Sequence, residues 1–478
     1  MRLRFIFFVI LYTMLRYAAA QQNWAAVPCY QPRASYEAIN RMFVDSLHNE
    51  IILNSVYGYS TCNITYKGVF AFDGNNFRDL DFGIDKHNAN PFTAGNYMMA
   101  CIPYNGKTLF GGGFYSVGSN TLYAKSIALW DGAVWDTFPK FVFPNDLSER
   151  GGGISGFLKH NGKLWIYGGF DTIGGIVSKN VCGFDGNNFI SVPALPDFGN
   201  DYIIGKMIVY KNKLIATGDF YDQSSWSARV AMYDGSSWSS VGNGVKGDIS
   251  FVIDMAIYRD TLYIAGSWPA VGGNISNHIM KWDGTQLYDA GFGNYYGTDA
   301  ISNLVVYKDR LFAFGNFGHA ANQKAFGIAY YKDGTWTVPK DSIANHGVRY
   351  GVVHNDALYI AGGFKNINND TTIKNFARLV CPDFDAVSGC ISGLKESSLN
   401  RLNLKVFPNP ANDELFVETD YNVKIERLSI TNTLGEEIFK ALNPELRDRL
   451  DISFLPKGIY FLSAENKQGR SVFKVVKE

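Results

Sequence analysis

The chain has 478 residues, in which 44 Lys and Arg balance 44 Asp and Glu, 15% of positions are aromatic and 49 are glycine. Balanced charge gives no electrostatic case for nucleic acid or for an anionic membrane surface, and both are set aside. The length exceeds one ordinary core, and so much glycine and aromatic residue points to many short strands joined by tight turns.

Arg2 and Arg4 precede an apolar run from Phe5 to Leu15, and Ala18-Ala19-Ala20 stands before Gln21. This reads as a secretory signal peptide over residues 1–20, its apolar run too short to span a bilayer. No later stretch has the length of apolar sequence that a transmembrane helix needs, so no transmembrane segment is predicted. Asn23 to Pro28 (NWAAVP) then looks like the last strand of a repeat whose other strands are missing.

From there an Asp-Gly motif flanked by bulky residues recurs six times. It reads Phe72-Asp73-Gly74 with Phe77, Trp130-Asp131-Gly132 with Trp135, Phe184-Asp185-Gly186 with Phe189, Tyr233-Asp234-Gly235 with Trp238, Trp282-Asp283-Gly284 with Leu287, and Lys332-Asp333-Gly334 with Trp336. The Asp-to-Asp intervals of 58, 54, 49, 49 and 50 residues match a β-propeller blade and not a helical solenoid. A second block, apolar residues ending in Gly and an aromatic, precedes each motif: Leu109–Phe114, Leu164–Phe170, Leu214–Phe220, Leu262–Trp268, Leu311–Phe317 and Leu358–Phe364, with Ile51–Tyr57 a degenerate copy. That makes seven units. Polar pairs such as Asn105-Gly106 and Asn161-Gly162 are read as turns between strands a and b, and Asp-Gly as tight hairpins between strands c and d, since both supply positive φ. The aromatic after Asp-Gly is expected to pack between neighbouring units.

The seventh unit stops after Phe376–Val380 without an Asp-Gly hairpin, and the N-terminal fragment supplies the strand it lacks. The expected fold is all-β: a seven-bladed β-propeller over residues 21–385, closed by residues 23–28 pairing beside 376–380 so that no sheet edge stays open. In its Gly-Gly doublets and downstream aromatics this region resembles kelch and galactose-oxidase-type propellers. That resemblance implies architecture alone, because such folds host binding modules and enzymes alike.

Six cysteines in an exported chain permit disulfides. Cys29 with Cys62, on one face of the first unit, and Cys381 with Cys390, which bracket a short loop, are the expected pairs. Cys101 and Cys182 fall within strands and are read as buried thiols. His48, His160 and His354 share the a–b turn position and read as packing residues. His87, His278, His319 and His346 lie in or near loops, with His319 the candidate for function. The repeated aspartates read as turn formers, beside Gly every time. No HExxH, CxxC, GxSxG, phosphate loop or calcium loop occurs, so no catalytic residue, metal or cofactor is assigned.

The b–c loops and the long d–a connectors vary from unit to unit, whereas the a–b and c–d turns repeat. Scaffold-held variable loops are where recognition resides, so ligand contacts are assigned there, with Tyr221, Trp268, Tyr295, Tyr296 and His319 the candidates.

Residues 386–403 read as a polar linker, and 404–478 as a small β-sandwich. Its motifs are Pro408-Asn409-Pro410 at the start, LPKGIYFL with Gly458 and Tyr460, and a terminal FKVVKE with Lys474 and Lys477. These residues resemble the C-terminal sorting domain of the type IX secretion system of Bacteroidota. The resemblance implies export through the signal peptide, outer-membrane translocation by the secretion machinery recognising 404–478, and a cell-surface or secreted location. The expected function is glycan or protein binding, that is, an adhesion module. The alternative is an extracellular polymer-degrading enzyme with a pocket at the propeller axis.

Overall fold

The structure, a computed structural model, is described for residues 24–27, 30–31, 39–55, 59–61, 64–66, 68–82, 97–118, 122–138, 153–195, 203–218, 230–242, 251–268, 276–293, 300–339, 343–344, 347–380, 404–419, 425–432, 437–442, 449–466 and 469–478. Every regular element among them is a β-strand. The chain divides into two compact units, Met1–Cys390 and Ile391–Glu478. The proposed signal peptide and linker lie outside the described residues.

The first unit contains seven four-stranded antiparallel sheets. Six are local: Ile39–Asp45, Glu50–Ser55, Val69–Phe72 and Phe77–Asp79; Tyr97–Tyr104, Lys107–Gly113, Ile127–Trp130 and Trp135–Thr137; Ile154–His160, Lys163–Gly168, Val181–Phe184 and Phe189–Ser191; Ile204–Tyr210, Lys213–Gly218, Val230–Tyr233 and Trp238–Ser240; Phe251–Tyr258, Thr261–Ser267, Ile279–Trp282 and Leu287–Asp289; Ala300–Tyr307, Arg310–Asn316, Ile328–Lys332 and Thr335–Thr337. The seventh joins Val348–His354, Ala357–Gly362 and Phe376–Leu379 to Trp24–Ala26, with Trp24 opposite Leu379 and Ala26 opposite Ala377. The two sequence fragments thus form one sheet. The first strand of each sheet lies against the first strands of the sheets before and after it, and the seventh returns to the first, so these inner strands make a closed circuit.

The repeated residues explain this regularity. Each inner strand carries a one-residue register shift near its start. In sheets three to six the shift brings a backbone carbonyl onto the glycine of the neighbouring strand. A Cβ on Gly168, Gly218, Gly266 or Gly315 would sit 2.1, 2.0, 1.9 or 2.0 Å from the carbonyl oxygen of Gly153, Ile203, Phe251 or Ala300. Only glycine fits there. In six sheets the a–b turns are two-residue hairpins with positive φ at both positions, for example Asn105 at 47° and Gly106 at 75°, as the sequence predicts, whereas the first sheet joins Asp45 to Glu50 through a four-residue loop.

The Asp-Gly turns differ from expectation in five of six copies. Strands pair at Phe72–Phe77, Trp130–Trp135, Phe184–Phe189, Tyr233–Trp238 and Trp282–Leu287, leaving four-residue loops. There the aspartate contributes its carboxylate, not a positive φ: Asp234 Oδ1 accepts the Ser236 and Ser237 amides at 2.8 and 2.9 Å, and Gly235 takes φ 105°. The amides of Ser237 and Ser236 hold the Asp234 carboxyl down at about 2. Only Asp333 (φ 49°) and Gly334 (89°) make the two-residue form. The tryptophans that follow dock on the preceding sheet: the indole N–H of Trp135, Trp238 and Trp336 donates to the carbonyls of Leu80, Pro193 and Ala290 at 2.7, 2.9 and 2.8 Å.

A left-handed residue stands before the third strand of most sheets, among them Ser126, Asn180, His278 and Asn375 at φ 64°, 63°, 59° and 61°. Each donates its N–H to the carbonyl of the block's aromatic, His278 to Trp268 at 3.0 Å. His278 is 1% exposed, and burial lowers its pKa from 6.5 to about 4. The unfolded chain therefore takes up the proton first, so this stability is complete above pH 6.5 and lost as pH falls to 4. The loss should be on the order of 3 kcal/mol. His278→Asn, the residue used in the third and seventh sheets, is expected to remove that part of the acid sensitivity. The check is the urea midpoint of both proteins at pH 7 and pH 4, and an equal acid shift in the two would refute it.

Cys101 and Cys182 are free, and burial pushes both thiols up, Cys182 to about 11. The four cysteines expected in disulfides lie outside the described residues. Tyr30 and Thr61, which adjoin Cys29 and Cys62 in the chain, are cross-strand partners.

The second unit has two antiparallel sheets. One holds Leu404–Phe407, Glu414–Thr419 and Arg449–Asp451; the other holds Glu437–Leu442, Arg427–Thr431, Gly458–Asn466 and Gly469–Lys477. Leu415 and Val417 from the first and Leu428, Ile430, Leu462 and Val475 from the second share one core.

Candidate functional site

The residues just after the inner-strand register shifts carry a chain of polar contacts between neighbouring sheets. Asp254, 4% exposed, accepts from Asn303 Nδ2 at 2.9 Å and from the Leu304 amide at 2.8 Å through Oδ2, and its Oδ1 lies 2.9 Å from Lys206 Nζ. Asn303 Oδ1 accepts the Gly351 amide at 2.8 Å. In the third sheet the equivalent residue is Gly156, and the hydroxyl of Tyr167 lies where its Cβ would be and accepts from the Met207 amide. Arg41 lies over the Tyr350 ring, 5.9 Å from its centroid. Contacts therefore pass from the third sheet through the fourth, fifth, sixth and seventh to the first.

Asp254 raises the Lys206 pKa against the opposing cost of burial. A raised lysine value means the pair is intact below the unfolded pKa and is lost only as strongly alkaline pH passes the folded one. The Lys206 side chain keeps 39% of its surface, so the pair is partly screened. Two cations against one carboxylate leave the group with a single positive charge. Each oxygen of Asp254 is already engaged, which makes it a strut between sheets.

The assigned loop face is built differently from the expectation. Beyond the second strand, the chain of three sheets forms a short ribbon: Ser116–Val117 with Leu122–Tyr123, Thr172–Ile173 with Ile176–Val177, and His319–Ala320 with Gln323–Lys324. His319 is half-buried on the third of these. Trp268 is corrected. It is 0% exposed and donates its indole N–H to the Ser276 carbonyl at 2.8 Å, so it is a core residue like Phe114, Phe170, Phe317 and Phe364 at the same repeat position. Tyr221, Tyr295 and Tyr296 lie outside the described residues. The reading missed Tyr123 and Val177, which stand 67% and 74% exposed on the ribbons.

The turn histidines have packing partners in two of three cases. His48 Nδ1 lies 2.7 Å from Asp45 Oδ2, whose other oxygen accepts from Thr108 at 2.8 Å, and His354 Nε2 lies 3.4 Å from the Asp73 carbonyl. His87 and His346 lie outside the described residues, among which no three His, Cys, Asp or Glu side chains gather to hold a metal.

In the second unit the motif residues meet at the C-terminal strand. Asn409 Oδ1 accepts the Val476 amide at 2.9 Å. Ala411, just after Pro408-Asn409-Pro410, donates to the Val476 carbonyl at 2.8 Å and accepts from the Glu478 amide at 2.9 Å. Lys477, 8% exposed, reaches Asp413 Oδ1 at 3.2 Å. Gly458 opens the strand opposite Lys477, Lys474 stands opposite Phe461, and Tyr460 donates to the Pro456 carbonyl at 2.8 Å. The three motifs thus form one connected corner.

Residues 405–478 match the family described as secretion system C-terminal sorting domain. That domain marks the chain for export to the outer cell surface or for secretion, and among the described residues no helix is long and apolar enough to cross a membrane. No curated protein matches the chain. Among solved structures, it is similar at 10% identity and TM-score 0.46 to the extracellular domain of the putative one component system BT4673 from B. thetaiotaomicron, covering 95% of this chain and 52% of that one. The chain thus spans about half the length of that structure. It is also similar, at 10% identity and TM-score 0.35, to PorZ, a surface component of the type-IX secretion system of Porphyromonas gingivalis, covering 92% of this chain and 75% of that one.

Proposed function

We propose that the protein is a surface-delivered binding module: a seven-bladed, kelch-like β-propeller over residues 21–385, a linker, and a β-sandwich sorting domain over 404–478 that engages the type IX machinery. The closed circuit of inner strands supports the propeller reading. A glycan or protein partner is bound by the b–c ribbons and neighbouring loops. The observation that carries this is the exposure of Tyr123 and Val177 on ribbons whose base is fixed by the sheets, since a large side chain held on a rigid support contributes binding at little entropic cost. His319, half-buried on the third ribbon, is assigned to the same surface, and Tyr221, Tyr295 and Tyr296 remain candidates for it from the sequence, while the buried Trp268 is not part of it.

The test is an array of glycans and outer-surface proteins probed with the mature chain, followed by Tyr123→Ala, Val177→Ser and His319→Ala together. Binding to the partner found is expected to weaken by about tenfold or more, as loss of one or two central contacts does, with the melting temperature unchanged. Binding that survives the triple substitution refutes the assignment of this surface.

A further inference from the structure

On the opposite, turn-bearing side of the sheets, one junction differs from three others that share a common construction. Between sheets four and five, five and six, and six and seven, the tyrosine ending the inner strand donates its hydroxyl to a turn carbonyl of the next sheet: Tyr210 to Asp260 at 2.9 Å, Tyr258 to Asp309 at 3.0 Å and Tyr307 to Asp356 at 2.8 Å. The residue after it is a cation that spans the gap. Lys211 Nζ donates to the Asp283 carbonyl at 2.6 Å, Arg259 reaches Asp309 and Asp333 at 3.0 and 2.8 Å, and Lys308 Nζ lies 3.4 Å from Asp356.

Between the second and third sheets this plug is missing. Tyr104 keeps the tyrosine position, but Asn105 follows where the fourth, fifth and sixth sheets have Lys or Arg, as Asn161 and Asn355 follow His160 and His354 in the third and seventh, and the gap is an open crevice of about 300 Å³ lined by both residues with Lys159, His160, Lys163 and Asp185. Among the described residues, the Tyr104 hydroxyl, the His160 ring and both ammonium groups make no hydrogen bond or ion pair. The Asp185 carboxylate already accepts the Asn187 and Asn188 amides of its own turn at 2.8 and 2.7 Å, which hold its pKa below the usual range. The crevice thus combines a surplus of positive charge with unused donors at the small end of ligand-pocket size.

We propose that this crevice binds an acidic saccharide, one sugar ring whose carboxylate or sulfate group is held by Lys159 and Lys163 while Tyr104 and Asn105 bond its hydroxyls. An anion is selected because the two lysines outnumber the one carboxylate, whose charge is spent on its own turn. A sugar is selected because the remaining groups are neutral hydroxyl and amide donors and acceptors around an aromatic ring. The site is independent of the ribbon surface and extends the binding role to a second place on the molecule.

Calorimetric titration of the mature full chain with glucuronic acid, glucose 6-sulfate, glucose and inorganic sulfate tests it. At least one acidic sugar should bind, about tenfold or more tighter than glucose or sulfate, the factor that a charge-assisted bond supplies. Lys159→Ala with Lys163→Ala should weaken it by a similar factor. Asn105→Lys, which inserts the residue the fourth sheet carries at the same left-handed φ (47° against 46° for Lys211), should abolish binding without lowering the melting temperature. Preference for the carboxylate or the sulfate probe identifies the class of acidic sugar. The proposal is overturned if no probe binds at millimolar concentration, if glucose or sulfate binds as well as the acidic sugars, or if binding survives Asn105→Lys. The ribbon substitutions should leave this binding intact, so the two readings fail separately.

Discussion

Trp24→Ala is expected to destabilise the first unit by about 3–5 kcal/mol, the range for truncating a fully buried aromatic. Trp24 is 1% exposed and packs with Tyr307, Phe312, Phe314, Ile328, Tyr330 and Leu379, so its side chain ties the N-terminal strand to both the sixth and seventh sheets. Its indole nitrogen is buried without a hydrogen-bond partner, which costs stability. Trp24→Phe should therefore lose much less than Trp24→Ala, because it removes that cost along with some area. Deleting the chain through Pro28 should exceed both, since it also removes three residues of pairing. Urea unfolding of the three variants decides, and a midpoint unmoved by the deletion would mean the closing strand contributes nothing.

Asp254→Ala is the second large change, expected to cost about 3 kcal/mol. It strips partners from Lys206, Asn303 and the Leu304 amide together. The cost falls at the low end for a broken buried pair because Lys206 still reaches water. Asp254→Asn keeps an acceptor for Leu304 while discarding the charge, so roughly half the loss should remain. If the two substitutions cost the same, the ion pair and not the hydrogen bonding sustains the group. A cost under about 0.5 kcal/mol for alanine, the size of an ordinary surface change, would show that the strut bears no load.

The sheets were legible in the sequence because each repeat copies a steric demand. In sheets three to six the glycine before the aromatic is required by a carbonyl about 2 Å from where its Cβ would be, and the Asp-Gly aspartate, as at Asp234, by two amides that need an acceptor. Even the missing strand could be assigned, since half a unit at each end left one completion. The polar group between the sheets was illegible for the converse reason. Arg41, Lys206, Asp254, Asn303 and Tyr350 occupy one structural position in five sheets with five residue types, so no motif recurs. Trp268 was misassigned by treating an aromatic at a loop boundary as loop-facing, although four phenylalanines at its repeat position are equally buried. The crevice at Asn105 was not legible, because asparagine also stands at that turn position in the third and seventh sheets, as Asn161 and Asn355.

The pairing of Trp24–Ala26 with Ala377–Leu379 also fixes a timetable. The strand Trp24–Ala26 must wait for a partner made about 350 residues later. Closing so large a loop costs more entropy than any hairpin within a sheet, so this is the step to form last. Until then the strand Phe376–Leu379 presents an unpaired edge, and every incomplete molecule carries both that edge and a free segment that fits it. Two such molecules brought together during export are able to exchange N-terminal segments and finish as an intertwined dimer. The joint that seals one molecule is therefore also its route to cross-linking with a second.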